Sequence, residues 1–170
     1  PEHEARLLER LRANRATFAA RALPINRERH ARARQEAYQG GVDVLATLPD
    51  ERAVDELAFA MLYLGEGAKI ARCVEVSSTK PEILRYTLWV LKELYNVDET
   101  RITCYLHLIA AAQHLEEQLI EWWVRQLGVS REQFRKTNYD RRPRDVEITD
   151  DYHGVCAVRY PNIYLQQRIL

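Results

Sequence analysis

The chain has 170 residues, 46% of them hydrophobic and 29% charged, and its formal net charge is zero. This length and composition predict one globular domain of ordinary size with room for an appended segment. Zero net charge argues against indiscriminate binding to polyanions, and no apolar run approaches the roughly 20 residues that span a bilayer. The N-terminal residues lack the apolar core of a signal peptide, so we expect a cytoplasmic protein without a membrane partner.

Residues 1–48 are predicted to form an N-terminal helical arm. A helix rich in Ala, Leu and Arg covers residues 3–21, Pro24 breaks it, and a second, polar helix stops at Gly40-Gly41. Residues 1–36 contain nine arginines against five glutamates. Large apolar residues are too few for a separate core, so we expect the arm to pack on the main domain or on a partner chain. Its alternative readings are a solvated helical extension and a DNA-contacting arm.

Residues 49–170 are predicted to form the main domain, which opens with an apolar helix over residues 50–65. A strand follows at 72–78. The next helix is marked by a capping box at Thr79 and Glu82. The first part of the domain therefore has the order helix, strand, helix.

The second part of the domain begins with a strand at 101–108, where apolar and polar side chains alternate. The apolar positions are Ile102, Cys104, Leu106 and Leu108, and the polar ones are Arg101, Thr103, Tyr105 and His107. A helix over 115–127, a short helix with a capping box at Ser130, a strand at 152–160 and a last helix follow. Because this order lacks βαβ regularity, we expect the α+β class.

The most unusual stretch lies at residues 57–78, which read LAFAMLYLGEGAKIARCVEVSS and end an apolar helix on Glu66 between two glycines. Residues 59–67 resemble a degenerate LAGLIDADG motif. Ala60, Leu62 and Gly67 match that motif, and Glu66 takes the place of its second acidic residue. The order of the later elements, including the LHL strand and the GVC strand, also resembles one branch of this superfamily, over roughly residues 50–170.

The resemblance implies a mixed helix and antiparallel-sheet domain that works as a homodimer on double-stranded DNA. Its motif helices pair closely, and here the interface residues would be Ala58, Met61, Leu62 and Gly65. The two Glu66 carboxylates would meet and bind Mg²⁺ together with DNA phosphates, for site-specific hydrolysis of phosphodiester bonds. Lys69 would help to hold a phosphate. The plain alternative is a helix C-terminus with an exposed Glu66, where Lys69 offsets the helix dipole.

The resemblance also places DNA contacts on the strands and on the basic stretch after residue 134. The DNA-binding candidates are Arg72, Arg101, Thr103, Tyr105, His107, Arg135, Lys136, Arg141, Arg142, Arg144 and Arg159, with Val155 and Ala157 as further groove-facing positions. Each of these residues has an alternative reading as a solvated sheet or loop residue.

Two other functions stay open on the same fold. One is a catalytically inactive DNA-binding transcription regulator, and the other is a dimerisation or interaction module that does not bind DNA. Cys73, Cys104 and Cys156 form no CxxC pair and are predicted to be core residues. The histidines lie on separate elements without metal-ligand spacing, so we do not expect a histidine-based metal site.

Overall fold

A computed structural model describes the backbone of residues 2–140 and 148–170, and the side chains from residue 22 onward within those ranges. The chain divides into two compact units, Pro1–Pro49 and Asp50–Leu170. Among the described residues, no helix is both long and apolar enough to cross a bilayer.

The first unit is a single long helix, α1 (Glu2–Leu45), with Pro24 inside it. The predicted break at Pro24 and the predicted stop at Gly40-Gly41 are therefore wrong. A proline in a helix interior removes one hydrogen bond and costs about 3 kcal/mol. The surrounding sequence is dominated by Ala, Arg, Glu and Leu, whose helix propensity is high enough to continue the helix on both sides. The side chains of residues 22–45 are exposed.

The second unit contains a four-stranded sheet in the described part of the chain. Its strands are β1 (Val74–Ser78), β2 (Thr103–Ile109), β3 (Asn138–Asp140) and β4 (Val155–Tyr160). The spatial order is β1-β4-β2-β3, with β4 antiparallel to both neighbours and β3 parallel to β2. The α+β class is confirmed, but the sheet is mixed instead of purely antiparallel, because the helices between β2 and β3 supply a crossover connection.

The helices of the second unit are α2 (Arg52–Glu66), α3 (Pro81–Trp89), α4 (Glu116–Leu127) and α5 (Ile163–Ile169). A π-helical turn, Val90–Leu94, extends α3. Short 3₁₀ turns lie at Glu99–Arg101, Ala110–Leu115 and Arg131–Gln133. Helices and sheet enclose one hydrophobic core, to which α4 contributes the fully buried Trp123.

The predicted alternation along β2 is confirmed. Ile102, Cys104, Leu106 and Leu108 are all buried in the core. On β4, Cys156 and Val158 face the same core, and on β1 Val74 and Val76 do so. The three cysteines are buried, as predicted, and their thiols are free. One face of the sheet is therefore sealed by apolar side chains, and the polar positions lie on the other face.

Several boundaries differ from prediction for local reasons. Lys80 occupies the N-cap of α3 and its backbone N–H donates to Ser78 Oγ, so Thr79 is not the cap. The strand predicted at 152–160 begins only at Val155, because Gly154 has a φ of +69°, which a strand does not accommodate. The predicted helix end at Gly128, with φ +64°, and the capping box at Ser130 are confirmed.

Candidate nucleic-acid interface

Glu66 is the last residue of α2 and its side chain is exposed. The backbone N–H of Gly67 donates to the carbonyl oxygen of Tyr63 at 2.9 Å, which closes the helix. Gly67 then pairs with Val76 in an antiparallel bridge, so the chain after Glu66 runs along β1, the edge strand. Within the described residues, the Glu66 carboxylate has no hydrogen-bond or ion-pair partner.

The two positions that flank Glu66 are glycine for different reasons. A Cβ at Gly67 would lie 2.4 Å from Cδ2 of Tyr63 and 2.6 Å from its carbonyl oxygen, so packing against Tyr63 excludes any larger residue. A Cβ at Gly65 would meet no described atom within 4 Å. Gly67 is therefore required by the fold of this chain. No packing contact requires glycine at position 65, and the absence of a side chain there leaves the backbone of α2 accessible on its exposed side.

A buried polar network holds the segment that follows Glu66. Tyr63 Oη donates to the carbonyl oxygens of Ala68 at 2.9 Å and Cys73 at 3.3 Å. Gln166 of α5, which is buried, donates from Nε2 to Tyr63 Oη at 3.2 Å and to the carbonyl oxygens of Ala68 and Lys69 at 2.9 and 3.3 Å. Burial raises the pKa of Tyr63, although the hydrogen bond with Gln166 opposes the shift. Sequence reasoning missed Gln166, since nothing in its short helix marks it as buried.

Lys69 lies beside this network, and its Nζ is 3.4 Å from the carbonyl oxygen of Gly65. Through that contact, a carbonyl group that the end of α2 leaves unpaired accepts a hydrogen bond from a positive charge, as the plain alternative for Lys69 predicts. The lysine is exposed, so its ammonium group is also accessible to a ligand.

The exposed side of α2 is apolar. Its large residues are Leu57, Met61 and Leu64, which are 64%, 61% and 49% exposed. Ala58 and Gly65 lie between them and are exposed as well. These five residues form what we call the α2 apolar face. Such a contiguous apolar strip on a helix is typical of an interface with another surface.

The opposite side of α2 packs into the core through Phe59 and Tyr63, both fully buried. Leu62, predicted at the dimer interface, is half-buried and packs against this core, so it does not belong to the α2 apolar face. The predicted interface residues Ala58, Met61 and Gly65 are exposed together on one side of the helix.

The structure brings the predicted groove-facing residues together on the sheet face away from the core, here called the outer face. Its members are Glu75, Ser77, Thr103, Tyr105, His107, Val155, Ala157 and Arg159. Strand register pairs Thr103 with Arg159, Tyr105 with Ala157, and His107 with Val155. Ala157 is fully buried beneath its larger neighbours, whereas the other members are exposed or partly exposed.

An ion pair joins β4 to the edge strand β1 at one end of the outer face. Arg159 Nε donates to Oε2 of Glu75, its register partner on β1. The guanidinium carbon of Arg159 lies 4.6 Å from the centroid of the Tyr105 ring. Burial opposes the charge of Arg159, but the hydrogen bond and the negative charge of Glu75 outweigh it and raise the pKa of the guanidinium.

The remaining basic candidates are distributed around the domain. Arg72, Arg135 and Lys136 are exposed. Arg101 lies in a 3₁₀ turn before β2, with its guanidinium 5.3 Å from the ring centroid of the core residue Tyr160. The prediction that Arg101 lies on the polar side of the strand at 101–108 is therefore wrong. Arg141, Arg142 and Arg144 lie outside the described residues.

Among the residues that the structure describes, the carboxylates of a single chain do not assemble a metal centre. In the described ranges, no three His, Cys, Asp or Glu side chains lie close enough to hold a metal ion. Glu66 offers one exposed carboxylate, which is a suitable oxygen donor for Mg²⁺ but only one of the six ligands that this ion takes. The fit of Mg²⁺ therefore depends on further oxygens from a second chain and from phosphates.

Two of the histidines border a cavity of about 580 Å³ at the end of the sheet where β3 pairs with β2. His107 and His153 line it together with Asp140 and Asp151. His153 stacks on Trp122, with 3.7 Å between the ring centroids. The described residues that line this cavity form no cluster of three metal-ligating side chains.

The chain shows no match to a protein family, to a curated protein or to a solved structure.

Proposed function

We propose that this protein binds double-stranded DNA as a homodimer of LAGLIDADG type, with the two copies paired through α2. The observation that supports this proposal most is the position of Glu66. It lies at the end of the α2 apolar face and directly before the segment that pairs with edge strand β1. A two-fold axis along α2 would therefore place two carboxylates together, with a polar sheet face on each side.

The α2 apolar face supports pairing through its chemistry. Full burial of a Leu or Met side chain contributes roughly 1.5–3 kcal/mol, and three such residues on each copy are about half exposed or more. Ala58 and Gly65 allow the two helix backbones to approach closely, because neither carries a bulky side chain. The loss of translational and rotational freedom opposes association, so further contacts around α2 must add to this helix pair.

The outer face and the basic residues support DNA as the ligand. The outer face offers hydroxyl, imidazole and guanidinium groups, which hydrogen-bond to base edges. Arg135 and Lys136 are exposed next to β3 and suited to phosphate contacts. With zero net charge, binding rests on this local arrangement and not on overall attraction.

The sharper proposal is Mg²⁺-dependent hydrolysis of phosphodiester bonds. Glu66 from each copy would hold the ion, and a bound Mg²⁺ supplies activation of water and stabilisation of the charged oxygens. The network of Tyr63 and Gln166 would keep the backbone after Glu66 rigid. Lys69, accessible at the same helix end, would hold a phosphate oxygen.

The second candidate is DNA binding without cleavage, on the same dimer. The observation that favours it is the contact of Lys69 Nζ with the carbonyl oxygen of Gly65, which gives this lysine a structural role that requires no phosphate. A third candidate, a dimerisation module without DNA, uses the α2 apolar face alone.

Two measurements separate the three candidates. Binding to duplex DNA is measured at increasing salt, and a DNA-binding protein gives a linear fall of log affinity with log salt. Nicking of a plasmid library with Mg²⁺ is then compared between the wild type and Glu66→Gln, with Glu82→Gln as a control at an exposed carboxylate elsewhere. Loss of nicking in Glu66→Gln alone supports the enzyme. Binding without any nicking by the wild type would leave the regulator, and absence of a salt slope would leave the dimerisation module.

A further inference from the structure

Arg159 lies on β4, between β1 and β2, and its side chain contacts residues of both neighbouring strands. Its register partner on β1 is Glu75, and its register partner on β2 is Thr103. Glu75 accepts a hydrogen bond from Nε, and the ring of Tyr105 lies against the guanidinium. The Arg159 side chain is nevertheless 39% exposed, whereas that of Glu75 is only 15% exposed.

These contacts leave one end of the guanidinium available. Within the described residues, the hydrogen bond of Arg159 uses Nε, and its two terminal Nη groups are not engaged. The ion pair and the aromatic contact restrict the side-chain rotamers, so little conformational entropy remains to be lost when a ligand binds. Arg159 thus presents a fixed pair of N–H donors at the accessible side of the sheet.

The neighbouring carboxylate determines which acceptor suits these donors. A phosphate near Arg159 would also lie near the negative charge of Glu75, which is unfavourable in a half-buried site. An uncharged acceptor pair does not suffer this repulsion. In duplex DNA the O6 and N7 atoms of guanine form such a pair in the major groove, and their spacing matches the terminal donors of arginine.

We propose that Arg159, positioned by Glu75 and Tyr105, reads a guanine in the DNA that this protein binds. This inference rests on the proposed function, and it extends that function to the sequence of the target. In a symmetric dimer each copy reads one guanine, so the target contains the same guanine in both half-sites, on opposite strands.

The test begins with selection of bound sites from a random duplex library by the full chain. The expected result is a guanine at one fixed position of each half-site. In the selected duplex that guanine is then replaced by 7-deazaguanine, which removes the N7 acceptor and keeps the base pair. Wild-type affinity is expected to fall roughly 5- to 150-fold. Arg159→Met, which keeps a long side chain but has no donors, is expected to bind both duplexes with nearly equal affinity.

Glu75→Ala provides a signature that a merely structural role would not produce. Removal of the carboxylate frees Arg159 to contact phosphates, so affinity for unrelated duplexes is expected to rise while the loss caused by 7-deazaguanine shrinks. Glu93→Ala, at an exposed carboxylate outside the outer face, is the matched control and is expected to change neither quantity. Thermal unfolding of each variant reports on its fold.

The outcomes distinguish this inference from the proposed function. If wild-type protein binds DNA with a salt slope but selects no fixed guanine, or loses no affinity with 7-deazaguanine, the reading of guanine by Arg159 is wrong and DNA binding stands. The 7-deazaguanine measurement needs only the wild type, so it decides the matter even where a variant fails to fold. If no salt-dependent binding to duplex DNA occurs, the proposed function and this inference both fail.

Discussion

The two sides of α2 are both apolar, yet the fold treats them in opposite ways. Phe59 and Tyr63 are fully buried in the core of their own chain. Leu57 and Met61, one turn apart on the other side, are more than half exposed. An apolar pattern therefore shows that a helix face avoids water, but it does not show whether the same chain or another molecule covers it. Substitutions on the two sides should therefore differ in their effects on unfolding and on self-association.

The largest effect is expected on the buried side, for Phe59→Ala. Truncation removes a fully buried ring that lies near Tyr63, Tyr86 and Tyr95 and leaves a cavity. We expect the free energy of unfolding to fall by roughly 3–5 kcal/mol. Chemical denaturation followed by tryptophan fluorescence measures this, with Leu57→Ala as the matched control on the exposed side. Equal losses in the two variants would contradict the assignment of the faces.

A smaller loss is expected when the polar network beneath Glu66 is broken. Gln166→Ala removes the donor that Ala68, Lys69 and Tyr63 share, so the carbonyl oxygen of Ala68 keeps only the hydrogen bond from Tyr63 Oη. The expected destabilisation is about 1–3 kcal/mol. Gln167→Ala, at the exposed neighbour, is the control. Faster backbone hydrogen exchange at residues 67–69 in Gln166→Ala would locate the effect, and unchanged exchange there would speak against it.

The pH dependence of stability follows from Tyr63. Burial raises its pKa above 10.0 in the folded state, so the folded chain retains the phenol proton more strongly than the unfolded chain. The stability linked to this group is complete below pH 10 and is lost as the pH rises toward the folded pKa. Unfolding free energies measured between pH 8 and 11 should therefore fall less steeply for Tyr63→Phe than for the wild type. A parallel fall would show that other groups dominate.

The smallest effect on unfolding is expected on the exposed side, for Met61→Glu. A surface substitution changes the stability of a single chain by about 0.5 kcal/mol or less. In the proposed helix pair, each copy would bring one new carboxylate to the interface. The two carboxylates would repel each other and lose their hydration. Sedimentation equilibrium should thus show weaker self-association with little change in unfolding. A wild-type chain that stays monomeric at high concentration, with or without DNA, would refute the helix pair.

The buried side of β2 was predictable from the sequence, whereas strand β3 and the continuity of α1 were not. Alternation at 101–108 identified the buried side of β2 correctly, because side chains on a strand point to opposite faces at every second residue. Strand β3 was missed, since three residues give no period to detect. The break expected at Pro24 did not occur, because the summed helix propensity of its neighbours outweighs one lost hydrogen bond.

The candidate site was predictable in part. Glu66 between two glycines was identified as unusual from sequence, and the structure places it at an exposed helix end beside the edge strand. Gln166 and Glu75 were not identified, because each acquires its importance through a partner that lies far away in the chain. Arg101 was placed on the wrong surface, since the strand begins two residues later than the alternation indicates.

By itself, the amino-acid sequence determined the class of the fold, the buried row of β2 and the residue types that surround Glu66. These follow from periodicity and local chemistry, which act over a few neighbouring residues. The tertiary structure alone decided which side of α2 meets the core, and which carboxylate orients Arg159. Both depend on contacts between segments that are distant in the sequence, and a local sequence pattern does not identify the segment that a residue will contact.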